Sequence, residues 1–146
     1  MYSRRKNAAV RIVALLLVMA FVAPVGASAA TQPRASYYLS SYNAYVYLPG
    51  NGEVQVYFNV LGTNTMDELG ALSISIYEST DGTNWTWKDT FKHNTTAGML
   101  SYNDDFHASY VTYNGVAGRY YKAYVCIWGG KDGQGDTRYF WTSAKH

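Results

Sequence analysis

The most constraining feature of the sequence is a run of β-branched and aromatic residues enclosed by glycines. The run extends from Arg119 to Trp128, with Gly118 before it and Gly129-Gly130 after it. Such a run between glycines is typical of a β-strand, whose side chains alternate between two faces. The predicted core face carries Tyr121, Ala123, Val125 and Ile127. The predicted outer face carries Tyr120, Lys122, Tyr124, Cys126 and Trp128.

Residues 1–29 are predicted to be a secretory signal peptide and are set aside from the fold. Basic residues at Arg4-Arg5-Lys6 precede an apolar run from Ile12 to Val22, and Ala27-Ser28-Ala29 follows as a cleavage site. The apolar run is shorter than the roughly 20 residues of a membrane-spanning helix. We therefore expect cleavage after Ala29 and a secreted, extracellular product that is not held in a membrane.

The charge and cysteine content restrict the partners and the chemistry of the remaining chain. Four of the 12 Lys and Arg residues lie in the leader, so eight remain against ten Asp and Glu, a formal net charge of −2. Without a cluster of basic residues, nucleic acid is not an expected partner. Cys126 is the only cysteine, so no disulfide forms within the chain. Stability must come from packing, for which the many Tyr and Trp side chains are well suited.

Alternation of apolar and polar residues predicts six further short strands, at about residues 42–47, 54–60, 72–77, 85–91, 108–113 and 137–142. Gly-rich turns separate several of them, including Pro49-Gly50-Asn51-Gly52 and the loop 129–136. Residues 30–41 are expected to be a flexible lead-in, residues 66–70 a single helical turn, and residues 93–106 a loop. Seven short strands predict one all-β domain over residues 42–146, folded as a two-layer antiparallel β-sandwich.

Two resemblances support this fold class. The pattern Tyr121-x-Ala123-x-Val125 after a glycine turn resembles the tyrosine-corner strand of immunoglobulin-like and fibronectin type III sandwiches, with Tyr121 at the corner. The second resemblance rests on short motifs in order: Met66 to Ala71, Ile76 to Ser79, Trp87, Thr90-Phe91, His107, Tyr113 to Gly115, Gly118, Tyr121 to Ala123 and Asp136 to Arg138. Over residues 42–142 these motifs resemble a family of small secreted proteins of unknown function from Gram-positive, Clostridia-like bacteria. The resemblance implies a secreted bacterial β-sandwich and brings no catalytic residues.

The outer aromatic residues are the candidate binding site. Tyr120, Tyr124 and Trp128 are spaced four residues apart and point the same way at intervals of roughly 13 Å. Together with Tyr57, Tyr77, Trp85 or Trp87 on neighbouring strands, they can form a flat platform on which sugar rings stack or a protein partner docks. The competing interpretation is that these rings pair across strands or lie under the loop 93–106.

Acidic residues offer weaker candidates. Asp132 and Asp136 flank Gln134 at alternate positions and could offer oxygen ligands to Ca²⁺, but a Gly-rich hairpin in which Asp136 pairs with Arg138 or Lys131 is the favoured interpretation. Asp81, in a segment that resembles an Asp-box hairpin, is expected to cap its own turn. No metal or other cofactor is therefore predicted.

Other polar groups do not form a recognisable catalytic set. Asp104 and Asp105 would point to opposite sides of an extended chain, and His107 is expected to be a hydrogen-bonded corner residue. Cys126 is expected to be buried beneath its aromatic neighbours, although an unpaired exported thiol can also link two chains.

These observations favour a non-enzymatic exported module that binds a surface glycan or protein through the aromatic face around Tyr124 and Trp128. The alternative is a self-associating structural or antagonistic secreted protein that uses an exposed edge strand such as Thr137 to Thr142.

Overall fold

The computed structural model describes residues 36–146, which form six antiparallel strands and no helix. The strands are β1 (Leu39–Gly50), β2 (Glu53–Ser79), β3 (Thr86–Lys92), β4 (Leu100–Asn114), β5 (Tyr120–Lys131) and β6 (Gln134–Trp141). The predicted all-β antiparallel class is confirmed. The predicted signal peptide and residues 30–35 of the lead-in lie outside the described residues. In the described part, no helix is long and apolar enough to cross a membrane.

Strand β2 organises the sheet because it is 27 residues long and has different neighbours along its length. Its first half pairs with β1 on one edge and with β4 on the other. Its second half pairs with β5 and β3. One sheet of six strands therefore replaces the seven separate strands expected from the sequence, and it curls into an incomplete barrel.

The predicted helical turn at residues 66–70 and part of the predicted loop at 93–106 are wrong. Met66 pairs with Asp104, and Glu68 lies between Tyr102 of β4 and Gly130 of β5. The backbone groups of this non-alternating segment thus find hydrogen-bonding partners on both sides. Because the same pairing draws residues 100–106 into β4, only residues 93–99 lie between strands.

The core lies against the concave side of the curled sheet. The predicted core face of β5 is confirmed, since Tyr121, Ala123, Val125 and Ile127 are all at most 1% exposed. They pack in one cluster with the inward residues of β2, which include Val54, Val56, Phe58, Val60, Met66, Leu69, Ile74 and Ile76. Cys126 is also buried, at 4% exposure, and burial raises the pKa of its thiol. The expected burial of this cysteine is confirmed.

Two hairpins are closed by two-residue turns. Asn51 and Gly52 have φ angles of 52° and 81° between the paired residues Gly50 and Glu53. The predicted loop 129–136 is shorter than expected, because β5 and β6 pair up to Lys131 and Gln134. Only Asp132 and Gly133 remain unpaired there, with φ angles of 53° and 76°. Positive φ at both positions is the requirement of the tight hairpin turn that Asn-Gly and Asp-Gly favour.

The described end of the lead-in is fixed to the sheet. The carboxylate of Asp136 accepts hydrogen bonds from the hydroxyl of Ser36 and, at 3.1 Å, from the backbone N–H of Tyr37. Arg138 lies 3.8 Å away, so of the two predicted partners, Arg138 and Lys131, it is Arg138 that pairs with Asp136. The hydrogen bond from Ser36 and the charge of Arg138 hold the pKa of Asp136 below its usual value. Residues 39–41 of the predicted lead-in belong to β1.

The hydroxyl of Tyr121 makes hydrogen bonds to the backbone and to a side chain of another strand. Its hydroxyl accepts from the N–H of Val116 at 2.7 Å and donates to Oε2 of Glu78 at 2.7 Å. Burial raises the pKa of Tyr121 to about 12, so the phenol remains a donor. Lys88 lies 3.2 Å from the other oxygen of Glu78. Tyr121 therefore links the turn before β5 to β2, and Glu78 carries that link to β3.

Candidate aromatic binding face

The outer side of β3, β5, β6 and the second half of β2 carries an aromatic surface, here called the tryptophan face. It consists of Tyr77, Trp85, Trp87, Lys122, Tyr124, Tyr139 and Trp141. Strand register brings these residues together: Tyr77 pairs with both Trp87 and Lys122, and Tyr124 pairs with Trp141. The face therefore spans four neighbouring strands.

Lys122 and Tyr124 hold the centre of the tryptophan face in place. The ammonium of Lys122 lies 4.3 Å from the ring centre of Trp85 and 4.4 Å from that of Trp141. A cation over an aromatic ring is attracted by the negative ring face. The ring of Tyr124 lies 4.8 Å from Trp141 and 6.0 Å from Tyr139. These contacts restrict the rings before any ligand arrives.

The rim of the tryptophan face is open to solvent. Trp87, Tyr139 and Trp141 are 55%, 62% and 47% exposed. The indole N–H of Trp87 donates to Oγ1 of Thr90 at 3.0 Å, so its polar group is satisfied while the ring surface stays exposed. Large exposed rings with satisfied polar groups are suited to stacking against a ligand.

The predicted binding residues do not form one row. Trp85 contacts Lys122, and Tyr124 contacts Trp141, whereas Trp87 lies on the rim of the tryptophan face. Tyr120 instead stacks on His146, with ring centres 4.1 Å apart. Trp128 lies at the β5–β6 hairpin, where its indole N–H donates to Glu68 at 3.2 Å. The prediction that these three β5 rings lie on the outer face was correct. Each ring contacts a different neighbour, however, so the three do not form one surface.

Sequence reasoning missed Tyr139 and Trp141 as members of the site. Both lie on one face of the predicted strand 137–142, and that alternation was visible. What the sequence lacked was the register that places Trp141 opposite Tyr124 and Tyr139 opposite Cys126. Register in a hairpin follows from the turn, and the turn proved to be shorter than predicted.

A second aromatic group, on the first half of the sheet, is self-paired. The rings of Tyr45 and Tyr57 lie 5.3 Å apart and within 6° of parallel, and Tyr57 lies 4.9 Å from Tyr110. Loss of water around Tyr57, together with the neighbouring phenols, raises the pKa of its hydroxyl. Each ring covers the face of the next, so this ladder fits the interpretation of cross-strand pairing.

Asp81 caps its own turn, as predicted. Its Oδ1 accepts from the backbone N–H groups of Thr83 and Asn84, both at 2.8 Å, and Oδ2 accepts from the side chain of Asn84 at 2.7 Å. These hydrogen bonds, with that from the Asn84 N–H first, hold the pKa of Asp81 far below its usual value. The carboxylate is therefore occupied in shaping the β2–β3 connection.

The lowered pKa of Asp81 predicts that the stability of the fold depends on pH. A carboxyl group whose pKa is lower in the folded state stabilises the fold above its unfolded pKa, about 3.9, and loses that contribution as pH falls. We expect the unfolding midpoint in urea to fall on acidification below about pH 4. In Asp81→Asn the fall should be shallower, whereas the exposed control Asp105→Asn should follow the wild type. Identical pH profiles for all three proteins would contradict the assignment.

Two of the remaining polar candidates, His107 and Asp136, have structural partners for their side chains. Nε2 of His107 lies 2.8 Å from the carbonyl of Gly98, so the predicted hydrogen bond is present. His107 is not the predicted corner residue, however, because it lies within β4 and pairs with Val60. The backbone N–H of Asp132 donates to Asp67 at 2.7 Å, and Asp136 binds the lead-in. Within residues 36–146, no group of three or more His, Cys, Asp or Glu side chains is arranged to hold a metal ion.

The fold and this surface define a small all-β antiparallel domain with an exposed, preorganised aromatic face. Comparisons of the chain with protein-family models, with curated proteins and with solved structures find no match. The argument for function therefore depends on the geometry of the chain itself.

Proposed function

We propose that this protein is a secreted, non-enzymatic bacterial module that binds a surface polymer through the tryptophan face. The observation that carries the proposal is the open rim formed by Trp87, Tyr139 and Trp141 around a fixed aromatic centre. Rings that are already restricted lose little conformational freedom on binding, so more of the stacking energy is retained as affinity.

A glycan is the favoured ligand because the exposed rings are interspersed with hydroxyl groups. Ser75 and Thr90 lie between the tryptophans, and their hydroxyl oxygens are 2.8 Å apart. A pyranose ring presents an apolar face that suits an indole and a hydroxylated edge that suits Ser and Thr. A protein partner is the other outcome that the experiment separates.

Removing the rim should abolish most of the binding. In Trp87→Ala, Tyr139→Ala the loss of two stacking rings is expected to weaken retention on purified cell walls or on a glycan array on the order of tenfold or more. Tyr102→Ala is the matched control, because Tyr102 is 61% exposed on β4 outside the tryptophan face. Equal retention of both variants would refute the site. Retention on wall protein but not on glycan would identify a protein ligand.

Self-association through β6 is the second candidate function, in a structural or antagonistic secreted protein. It is supported by the position of β6 at the end of the sheet, where it pairs with β5 as its one strand partner among the described residues. An unpaired strand edge can accept a strand from another chain. Light scattering over a range of concentrations tests it: growth in size without glycan retention favours this function, and a constant monomer excludes it.

The finer fold assignment is also a proposal. We infer a two-layer sandwich of the immunoglobulin or fibronectin type in which β2 contributes to both layers. This inference is supported by the exchange of partners along β2 and by the hydrogen bond from Val116 to Tyr121. An experimental structure with strand layers facing each other would test it.

A further inference from the structure

A cleft lies at the β5–β6 hairpin, apart from the tryptophan face. Its volume is about 380 Å³. It is lined by Asp67, Glu68, Trp128, Gly130, Lys131, Gly133 and Gln134. One aromatic ring, two carboxylates, an ammonium and an amide therefore meet in a space large enough for a single sugar ring.

Two glycines allow Trp128 to lie flat across the hairpin. A Cβ atom at Gly130 would come within 2.6 Å of the indole ring, and one at Gly135 within 2.5 Å. Any larger residue at either position would lift the ring from the backbone. The hydrogen bond from the indole N–H to Glu68, at 3.2 Å, fixes the ring within its plane. Trp128 is thus a preorganised wall of the cleft.

The charged groups of the cleft are also held in place. Asp67 accepts from the backbone N–H of Asp132 at 2.7 Å, and Lys131 donates to the carbonyl of Thr65 at 2.9 Å. Two carboxylates against one ammonium give the lining a net negative charge. A cation entering the cleft would be attracted by that charge and by the π-face of Trp128.

We propose that this cleft is a subsite for an amino sugar, a pyranose ring that carries a free ammonium group. The ring would stack on Trp128, the ammonium would pair with Glu68 and Asp67, and the amide of Gln134 would bind a hydroxyl. This goes beyond the proposed function, because the subsite and its charge preference do not depend on the tryptophan face.

The four tryptophans allow the two sites to be tested in one experiment. Each indole N–H of Trp85, Trp87, Trp128 and Trp141 gives its own signal in a ¹⁵N-correlated NMR spectrum of the purified protein, assigned through single Trp→Phe variants. The probes are a glucosamine trisaccharide and its fully N-acetylated counterpart, titrated at pH 6. We expect the glucosamine trisaccharide to shift the Trp128 signal and the N-acetylated one to shift it far less.

Variants separate charge from structure. Glu68→Gln keeps an acceptor for the Trp128 N–H and removes the charge, so we expect the affinity for the glucosamine trisaccharide to fall on the order of fivefold. The same change in charge at Asp105→Asn, outside the cleft, should have little effect. Equal affinity for the two trisaccharides, or no shift at Trp128, would overturn the proposal. Shifts confined to Trp85, Trp87 and Trp141 would support the tryptophan face and refute this subsite.

Discussion

Replacing Gly70 by alanine is expected to lower the free energy of unfolding by about 3 kcal/mol or more. Gly70 lies in the middle of β2, between Leu100 of β4 and Trp128 of β5, with a φ angle of 149°. A Cβ atom there would lie 2.1 Å from the carbonyl oxygen of Met99. That oxygen also accepts the N–H of Ala71 at 2.8 Å, so moving it would disrupt a backbone hydrogen bond as well.

Gly118→Ala is the matched control for Gly70→Ala. Gly118 has a positive φ angle of 75°, but nothing lies within 4 Å of a Cβ atom at that position. Alanine at residue 118 would therefore have a strained backbone but no steric clash. We expect its free energy of unfolding to fall by about 1 kcal/mol. Urea unfolding followed by tyrosine and tryptophan fluorescence measures both. Similar losses in the two variants would show that contact with β4 does not explain the need for glycine at residue 70.

The features that the sequence predicted correctly depend on local pattern. The core face of β5 follows from alternation alone, because the inward position of Tyr121 fixes that of Ala123, Val125 and Ile127. The turn at Asn51-Gly52 follows from the positive φ angles that few other residue pairs accept. Asp81 likewise binds groups within three residues of itself, so its role as a cap was visible without any knowledge of the fold.

The features that were missed depend on partners distant in sequence. The segment from Met66 to Gly70 forms a strand without alternation because β4 and, from Glu68 onward, β5 pair with its backbone. Those partners lie 30 or more residues further along the chain. The polar residues of 101–105 form a strand for the same reason. In both segments the backbone N–H and C=O groups form hydrogen bonds with another strand. The local sequence does not indicate which strand that is.

The sequence predicted that the candidate site is aromatic, but it did not predict which aromatic residues lie together. An excess of aromatic residues on the outer face of β5 was correctly inferred, whereas their grouping depends on register and on small neighbours. Trp128 lies over the hairpin because Gly130 and Gly135 leave room for it. Tyr124 joins the tryptophan face because register places it beside Trp141. The two glycines are visible in the sequence, but the ring that packs against them is known only from the structure.

Tyr121→Phe is expected to cost about 2 kcal/mol of unfolding free energy. The substitution keeps the buried ring and removes one oxygen, which leaves the N–H of Val116 and Oε2 of Glu78 without a shared partner. Burial alone would raise the pKa of Glu78, but the hydrogen bonds from Tyr121 and Lys88 and the charge of Lys88 hold it below its usual value. Losing the phenol should therefore raise the pKa of Glu78.

The pH dependence tests whether Glu78 carries this effect. A lowered folded-state pKa stabilises the fold above the unfolded value, about 4.3 for glutamate, and the gain is lost as pH falls through the folded value. The cost of Tyr121→Phe should thus be larger at pH 7 than at pH 3, since an ionised acceptor makes the stronger hydrogen bond. Tyr113→Phe removes the same atom from the adjacent ring and leaves the bonds of Tyr121 intact. In the Glu78→Gln background the cost of Tyr121→Phe should shrink, and an unchanged cost there would show that the phenol stabilises the corner through Val116 alone.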